Sequence, residues 1–453
     1  MTLTVPLESP EAADPERFGP KAANLARLAQ AGLPTPGGAC IDAQAYRAQV
    51  EHLGLCVAAR EAASADLPLA RRRALEVRMG LFQQPIAVPV LEAWQALEGV
   101  PAAVRSSALV EDRAGASFAG QFESYLGVGS EADYLTAVRA CWAALWSVRA
   151  LRYFALQEID PAQNAMALLV QPFVAARAAG GGLSRTPGGE MLLTAAPGPG
   201  SAIAQGEVVP DRYLLDRDAV VLEAEAGRSQ TAAGCAHERA LPRARSACLD
   251  RSQASALGSL LLRAEQLLAH PVEIEWVLGA NGFQLVQARP LRVEAAVAVA
   301  EPRNSDRVLR GQPAGIGRAT GRSCVIRCEC ELGRVAPGDV LVTKVAGPGL
   351  SHVLATVAGV VTELGGSTSH LASLARERGI PMVLGAPDAT LRIPDGVEVT
   401  VDGILGSARW QRRPRAPQSE GRPDGLRVGL PGSGAESTGG DRRPRGAARE
   451  DAG

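Results

Sequence analysis

The 453 residues, 46% hydrophobic and 21% charged, suit a globular chain of two or three domains and not a disordered one. A net charge of −1 and an aromatic content of 4% argue against a nucleic-acid surface and against base-stacking platforms. No run approaches the ~18 apolar residues of a membrane span, no signal region opens the chain, and eight scattered cysteines fit reduced thiols, so the expectation is a cytoplasmic protein.

Apolar positions at helical spacing predict a helix over 20–31, PKAANLARLAQA, stopped by GLPTPGG. Residues 42–99 read as helices broken by short polar turns. PAAVRSSALVED (101–112) begins as a strand and QFESYLGV (121–128) alternates as another. Residues 131–157 read as one long helix carrying Trp142, Trp146, Arg149 and Arg152. MALLVQPFV (166–174) is a buried strand, further strands with Gly/Pro turns follow, and 251–269 is helical. PVEIEWVLGANGFQLVQARPL (271–291) reads as a hairpin, two β-rich runs joined by GANG. Residues 292–307 are small, polar and unpatterned, which places a domain boundary there. The division is 1–292, a linker over 293–307, a second unit of short strands, Gly turns and one clear helix over 308–408, and a tail over 409–453. The tail, rich in Pro, Gly and Arg, has too few apolar groups to bury a core and is expected to be disordered. The fold class is mixed α/β.

Three features bear on chemistry. Only two of the 47 basic residues are lysine, Lys21 and Lys344; the alternatives are chance and a site where a compact ammonium does what a planar guanidinium cannot. Cys324, Cys328 and Cys330 cluster, but their spacing fits no common zinc pattern. In LGGSTSHLASLARERGIPMVLG (364–385), His370 follows two glycines and a Ser/Thr run and falls in the first turn of an amphipathic helix. Free N–H groups and the positive dipole end stabilise an anion there and lower the imidazole pKa, keeping a neutral, nucleophilic ring. A capping histidine without chemistry is the other reading of that position.

That stretch resembles the phosphohistidine signature of the PEP-utilising enzymes, which include PEP synthase, pyruvate phosphate dikinase and the rifampin phosphotransferases. GDVLVTKVAGPGLSHVLATVAGVVTELGG and IPDGVEVTVDGILG match the same swivelling domain, of β/β/α type. The resemblance implies that His370 is phosphorylated and that its domain carries the phosphoryl group between distant sites. The first three hundred residues resemble the family's ATP-grasp-type nucleotide-binding half. FGPKAANLARLAQAGLPTPGG would place Lys21 on phosphate. VRSSALVEDRAGASFAGQFESYLGV would place Arg105 as a forked phosphate donor, Gly120 where backbone comes close, and Ser124 on a phosphate oxygen. WSVRALRYF would set Arg149 near the transferred group, and LVQPFV would set Gln171 beside adenine. In EIEW and VQARP, Glu275 and Gln287 would hold Mg²⁺, with Arg289 on phosphate and Glu273 beside them. Glu and Gln on paired strands can share a face through the period of two.

The chain departs from the family pattern at Glu273, where an aspartate is usual, and at GPGS (198–201), where Pro199 and Ser201 replace the leucine and glutamate of Gly-Leu-Gly-Glu. The pyruvate-binding barrel of PEP synthase, which needs ~250 residues, and the drug-binding insertion of the rifampin enzymes are both expected to be absent. The resemblance therefore implies an ATP- and Mg²⁺-dependent dikinase-type phosphotransferase. Its acceptor would be a small molecule or a site on a separate subunit. The alternative is a catalytically weakened nucleotide-binding or regulatory subunit.

Overall fold

Gly19 decides where the first long helix starts. The helical stretch Pro15–Gln30 is broken at Gly19, whose φ of 74° lies in the left-handed region, and Pro20 restarts it with its φ already set. A Cβ at Gly19 would lie 2.5 Å from the carbonyl oxygen of Ser107, so helix and strand touch there through bare backbone. We expect Gly19→Ala to cost roughly 1–3 kcal/mol, from the strained φ and the displaced strand, measurable as a lower denaturant midpoint.

The computed structural model describes residues 2–64, 67–111, 122, 124–156, 159–229, 243–244, 247–293 and 307–411. Two antiparallel sheets organise the first part. The first runs Thr4–Pro6, Ala39–Ile41, Met166–Pro172, Ala102–Ala108, Ser124–Val128. The second runs Gly282–Pro290, Val272–Gly279, Ala178–Leu183, Met191–Pro197, Asp211–Leu215, Val221–Glu225. The helices Ala43–His52, Cys56–Ser64 and Leu67–Gln83 fall inside the region read as helical.

The span 131–157 is two helices, not one. Glu131–Ala144 ends, and Val148–Leu156 begins after Ser147, whose Oγ accepts from the Ala150 N–H at 3.1 Å. A serine cap inside an apolar repeat interrupts the backbone without disturbing the pattern. It leaves the Trp146 indole free to donate to the Tyr46 hydroxyl at 2.7 Å in the core.

The hairpin pairs Val272–Gly279 with Gly282–Pro290, and a bulge between Glu275 and Trp276 shifts the register. Such bulges re-aim side chains. Here the bulge follows the Glu275–Gln287 pair, whose Cα atoms are direct partners.

The second part holds an eight-stranded mixed sheet. Its centre is parallel: Arg318–Val325, Val340–Thr343, Gly359–Thr362 and Met382–Leu384. VLVT and GVVT are apolar runs buried on both faces, as parallel strands require. The last strand, Ser407–Trp410, pairs with Arg307–Arg310 and runs two residues past 408, so those residues belong to the sheet and not to a tail. Residues 294–306 of the linker and 412–453 of the tail lie outside the described residues. Among the described residues no helix is long and apolar enough to cross a membrane.

Candidate functional site

The helix His370–Glu377 begins at the histidine itself, with Ser369 as its N-cap; the Ser369 Oγ accepts from the Ala372 N–H at 3.4 Å. The two glycines before it let this loop press onto the first part of the chain. Gly365 has φ 109° and donates its N–H to the Val208 carbonyl at 3.1 Å. A Cβ at Gly366 would lie 2.4 Å from the Pro210 Cγ. Across the same seam the Thr194 and Thr368 hydroxyls are 2.6 Å apart, and Gln312 donates to the Pro210 carbonyl at 3.4 Å.

His370 thereby joins a cavity of about 490 Å³ whose walls come from both parts of the chain. Lys21, Arg105, Ser124, Glu275, Gln287 and Arg289 line it together with His370. These seven come from five separated stretches and both sides of the seam. Lys21 Nζ is held at 3.0 Å from the Ser106 carbonyl and 3.2 Å from a Glu111 carboxylate oxygen. Burial pushes the Glu111 carboxyl up, against the pull of Lys21. Arg105 sits on the buried strand Ala102–Ala108, 3.6 Å from Glu275. Its buried Nε has no hydrogen-bond partner, and burial lowers its pKa against the pull of Glu275. A buried guanidinium with one weak counter-charge and a free donor is a place for an anion.

The donor set fits a hard divalent cation shared with phosphates. One carboxylate, Glu275, and one amide, Gln287, face each other across paired strands on the cavity wall, and Mg²⁺ takes few protein ligands when substrate oxygens complete its shell. Among the described residues no group of three His, Cys, Asp or Glu is placed to hold a metal unaided. The Cys324–Cys330 cluster is no exception: Cys324 is buried, Cys330 is exposed, and the Cys328 Sγ accepts from the Cys330 N–H.

Other sequence candidates lie elsewhere. Glu273 shares the face of Glu275 but is buried outside the cavity wall, against Arg289, Arg376 and Ser373. Gln171 is buried in the other sheet and donates to the Gly37 carbonyl at 3.4 Å, away from the cavity lining. Gly120 and the side chain of Arg149 lie outside the described residues. Pro199 and Ser201, two of the departures, are on the cavity wall. Glu111 and Ser373 were not singled out by sequence reasoning, and Thr368 only as one hydroxyl of the run before His370. Glu111 in ALVED had a signal, an acid just past a strand that carries Arg105; the pairings of Thr368 and Ser373 had none, because their partners Thr194, Glu273 and Arg289 lie 174, 100 and 84 residues away.

Burial lowers the His370 pKa; the positive charge of Arg289 and Lys21 adds to this, while Glu275 and Glu273 oppose it. In the nucleotide-free protein the ring should titrate below the ordinary 6.5, remaining neutral as pH falls past that value. Following the His370 ring protons by NMR checks this, and titration above 6.5 would contradict it.

Residues 15–307 match the pyruvate phosphate dikinase AMP/ATP-binding domain, and 335–406 match the PEP-utilising enzyme mobile domain. The phosphoenolpyruvate synthase of Aeropyrum pernix is 32% identical over 474 residues, covering 90% of this chain and 58% of its own. That of Pyrococcus furiosus is 29% identical over 458 residues, covering 86% and 56%. That of Pseudomonas aeruginosa is 31% identical over 444 residues, covering 87% and 56%. The chain thus spans a little over half the length of these curated relatives. Two domain matches in succession, on the two parts that together enclose the cavity, place the chain in the PEP-utilising enzyme family.

Proposed function

We propose that this protein is an ATP-dependent phosphotransferase of the dikinase type that phosphorylates its own His370. The observation that carries the reading is His370 at the head of its helix, on the wall of a cavity that also holds Lys21, Arg105 and Arg289. Three cations at one cavity suit a polyphosphate, and phosphoryl transfer needs positioning and charge neutralisation more than covalent help. Lys21, Arg105 and Arg289 bind the phosphate oxygens, with Ser124 as a further donor. Arg149 and Gly120 are proposed to complete the phosphate contacts, and Gln171 to lie toward the adenine. The neutral ring of His370 attacks the β-phosphorus and displaces AMP, which leaves a pyrophosphoryl group on the ring; water then takes the terminal phosphoryl group as free phosphate, and one phosphoryl group stays on the ring. Glu275 and Gln287 would hold Mg²⁺, which when bound neutralises phosphate charge.

The relatives are named phosphoenolpyruvate synthase, and the acceptor in this chain is proposed to be a small molecule or a site on a separate subunit. The division into a nucleotide half, a linker over 293–307 and a carrier is part of the same proposal, as is a cytoplasmic location without nucleic-acid or membrane partners. Incubation with ATP labelled at the β- or γ-phosphate tests it. Acid-labile, base-stable label from the β-position alone is expected. Nucleotide binding without label would favour a regulatory subunit, a reading that the departures at Pro199 and Ser201 on the cavity wall support.

A further inference from the structure

Glu273 carries two cations and a hydroxyl across the seam. Arg289 Nη2 and Arg376 Nη2 each lie 3.0 Å from its Oε2, and the Ser373 hydroxyl donates to Oε1 at 2.9 Å. All four residues are buried. Arg289 belongs to the hairpin, as does Glu273, whereas Ser373 and Arg376 belong to the helix headed by His370. Arg289 also donates to the Ser373 Oγ at 2.6 Å, and Arg376 Nη2 donates to the same oxygen at 3.0 Å. Through Nη1, Arg376 further holds the carbonyls of Ala314 and Ser367 within its own part of the chain. His370, Ser373 and Arg376 follow one another at intervals of three on a helix, so gripping the last two fixes the rotation that aims the first.

The geometry points to Glu273 as a positioning residue, a clasp that holds the His370 helix against the hairpin, and not as a ligand of nucleotide or metal. Both carboxylate oxygens are engaged by protein donors, and the residue stands off the cavity wall that Glu275, two positions on, reaches. Burial opposes its charge, yet Arg289 and Arg376 outweigh burial and hold the carboxyl below the usual range. Without the carboxylate, two buried guanidinium groups face each other across the seam without the counter-charge they share, and a buried pair broken on one side is strongly unfavourable. The clasp therefore sets how much of the protein has His370 docked, a population separate from nucleotide affinity. This role in transfer rests on the function proposed above; the docking itself does not.

The test uses the full chain and two independent readouts. Hydrogen exchange is followed over 366–377 and 206–210, the two sides of the seam, and His370 labelling by ATP is followed over a range of ATP concentrations. In Glu273→Gln, exchange on both sides should rise about tenfold and the saturating labelling rate should fall by about the same factor, with KM for ATP within about twofold of the parent. Glu273→Asp keeps the charge and the neighbouring-strand pair with Arg289, and should recover part of both. Ser373→Ala, which leaves the ion pairs in place, should raise exchange to a smaller extent and decides the question if Glu273→Gln does not fold. Unchanged seam protection in Glu273→Gln, or in Ser373→Ala should that variant have to decide, overturns the clasp. So does a rise in KM for ATP with the saturating rate unaltered. Failure of the parent protein to take up label would sink the proposed function, while the exchange readout would still judge the clasp.

Discussion

His370→Ala should abolish acid-labile phosphate uptake from ATP and leave nucleotide affinity within about twofold of the parent. The ring is the nucleophile in the proposed reaction, and among the described residues no other group lining the cavity replaces it in kind: the remaining polar side chains there are cations, carboxylates, amides, hydroxyls and one indole. The hydroxyls do not substitute, since an unactivated serine or threonine is a weak nucleophile. Affinity survives because Lys21, Arg105 and Arg289 are untouched and Ser369 still caps the helix. Equal labelling of the variant would remove His370 from the chemistry and turn its position into that of a capping residue. A loss of nucleotide binding along with label would mean that the helix, not the ring, was what the substitution destroyed.

Glu275→Ala should lower labelling by a factor on the order of 10² to 10³ and make the residue that remains insensitive to added Mg²⁺. Two losses combine. The proposed metal loses its one carboxylate, and Arg105 loses the counter-charge that lies 3.6 Å away, on a guanidinium already short of partners. Circular dichroism should not change, because Glu275 is partly exposed to the cavity and its strand is held on both sides, by Gly282–Pro290 and by Ala178–Leu183. Gln287→Ala should act in the same direction with a smaller effect, since an amide oxygen binds the cation more weakly than a carboxylate. Parent-like labelling of Glu275→Ala would place the metal elsewhere.

The sequence was most legible where the signal was local. The hairpin was readable from two β-rich runs about GANG, and the period of two let Glu275 and Gln287 share a face, on which the strand register also sets Glu273 and Arg289. The helix start at His370 was readable from two glycines and a Ser/Thr cap. Illegible was what happens along that common face. One end of the row meets the cavity and the other meets Ser373 and Arg376, and that difference depends on a partner about a hundred residues away. Alternation decides which side of a sheet a residue faces and is silent on what lies over it. The break at Ser147 was hidden for the opposite reason: a local cap with no change in apolar spacing. Gln171 was placed by motif alone, and its amide is engaged by Gly37.

The scarcity of lysine has a practical side. Lys21, one of the two ε-amines in the whole sequence, stands on the cavity wall against Glu111. An acylating reagent that decorates ordinary proteins at dozens of places would find here only Lys344, Lys21 and any free α-amine. Guanidinium groups do not react, being protonated under the same conditions. The mass shift at Lys21, measured against that at Lys344, then becomes an occupancy gauge for the cavity. Acylation of Lys21 would also be self-reporting, because it removes a cation proposed to meet phosphate and takes the ammonium partner from the buried Glu111 carboxylate in one step.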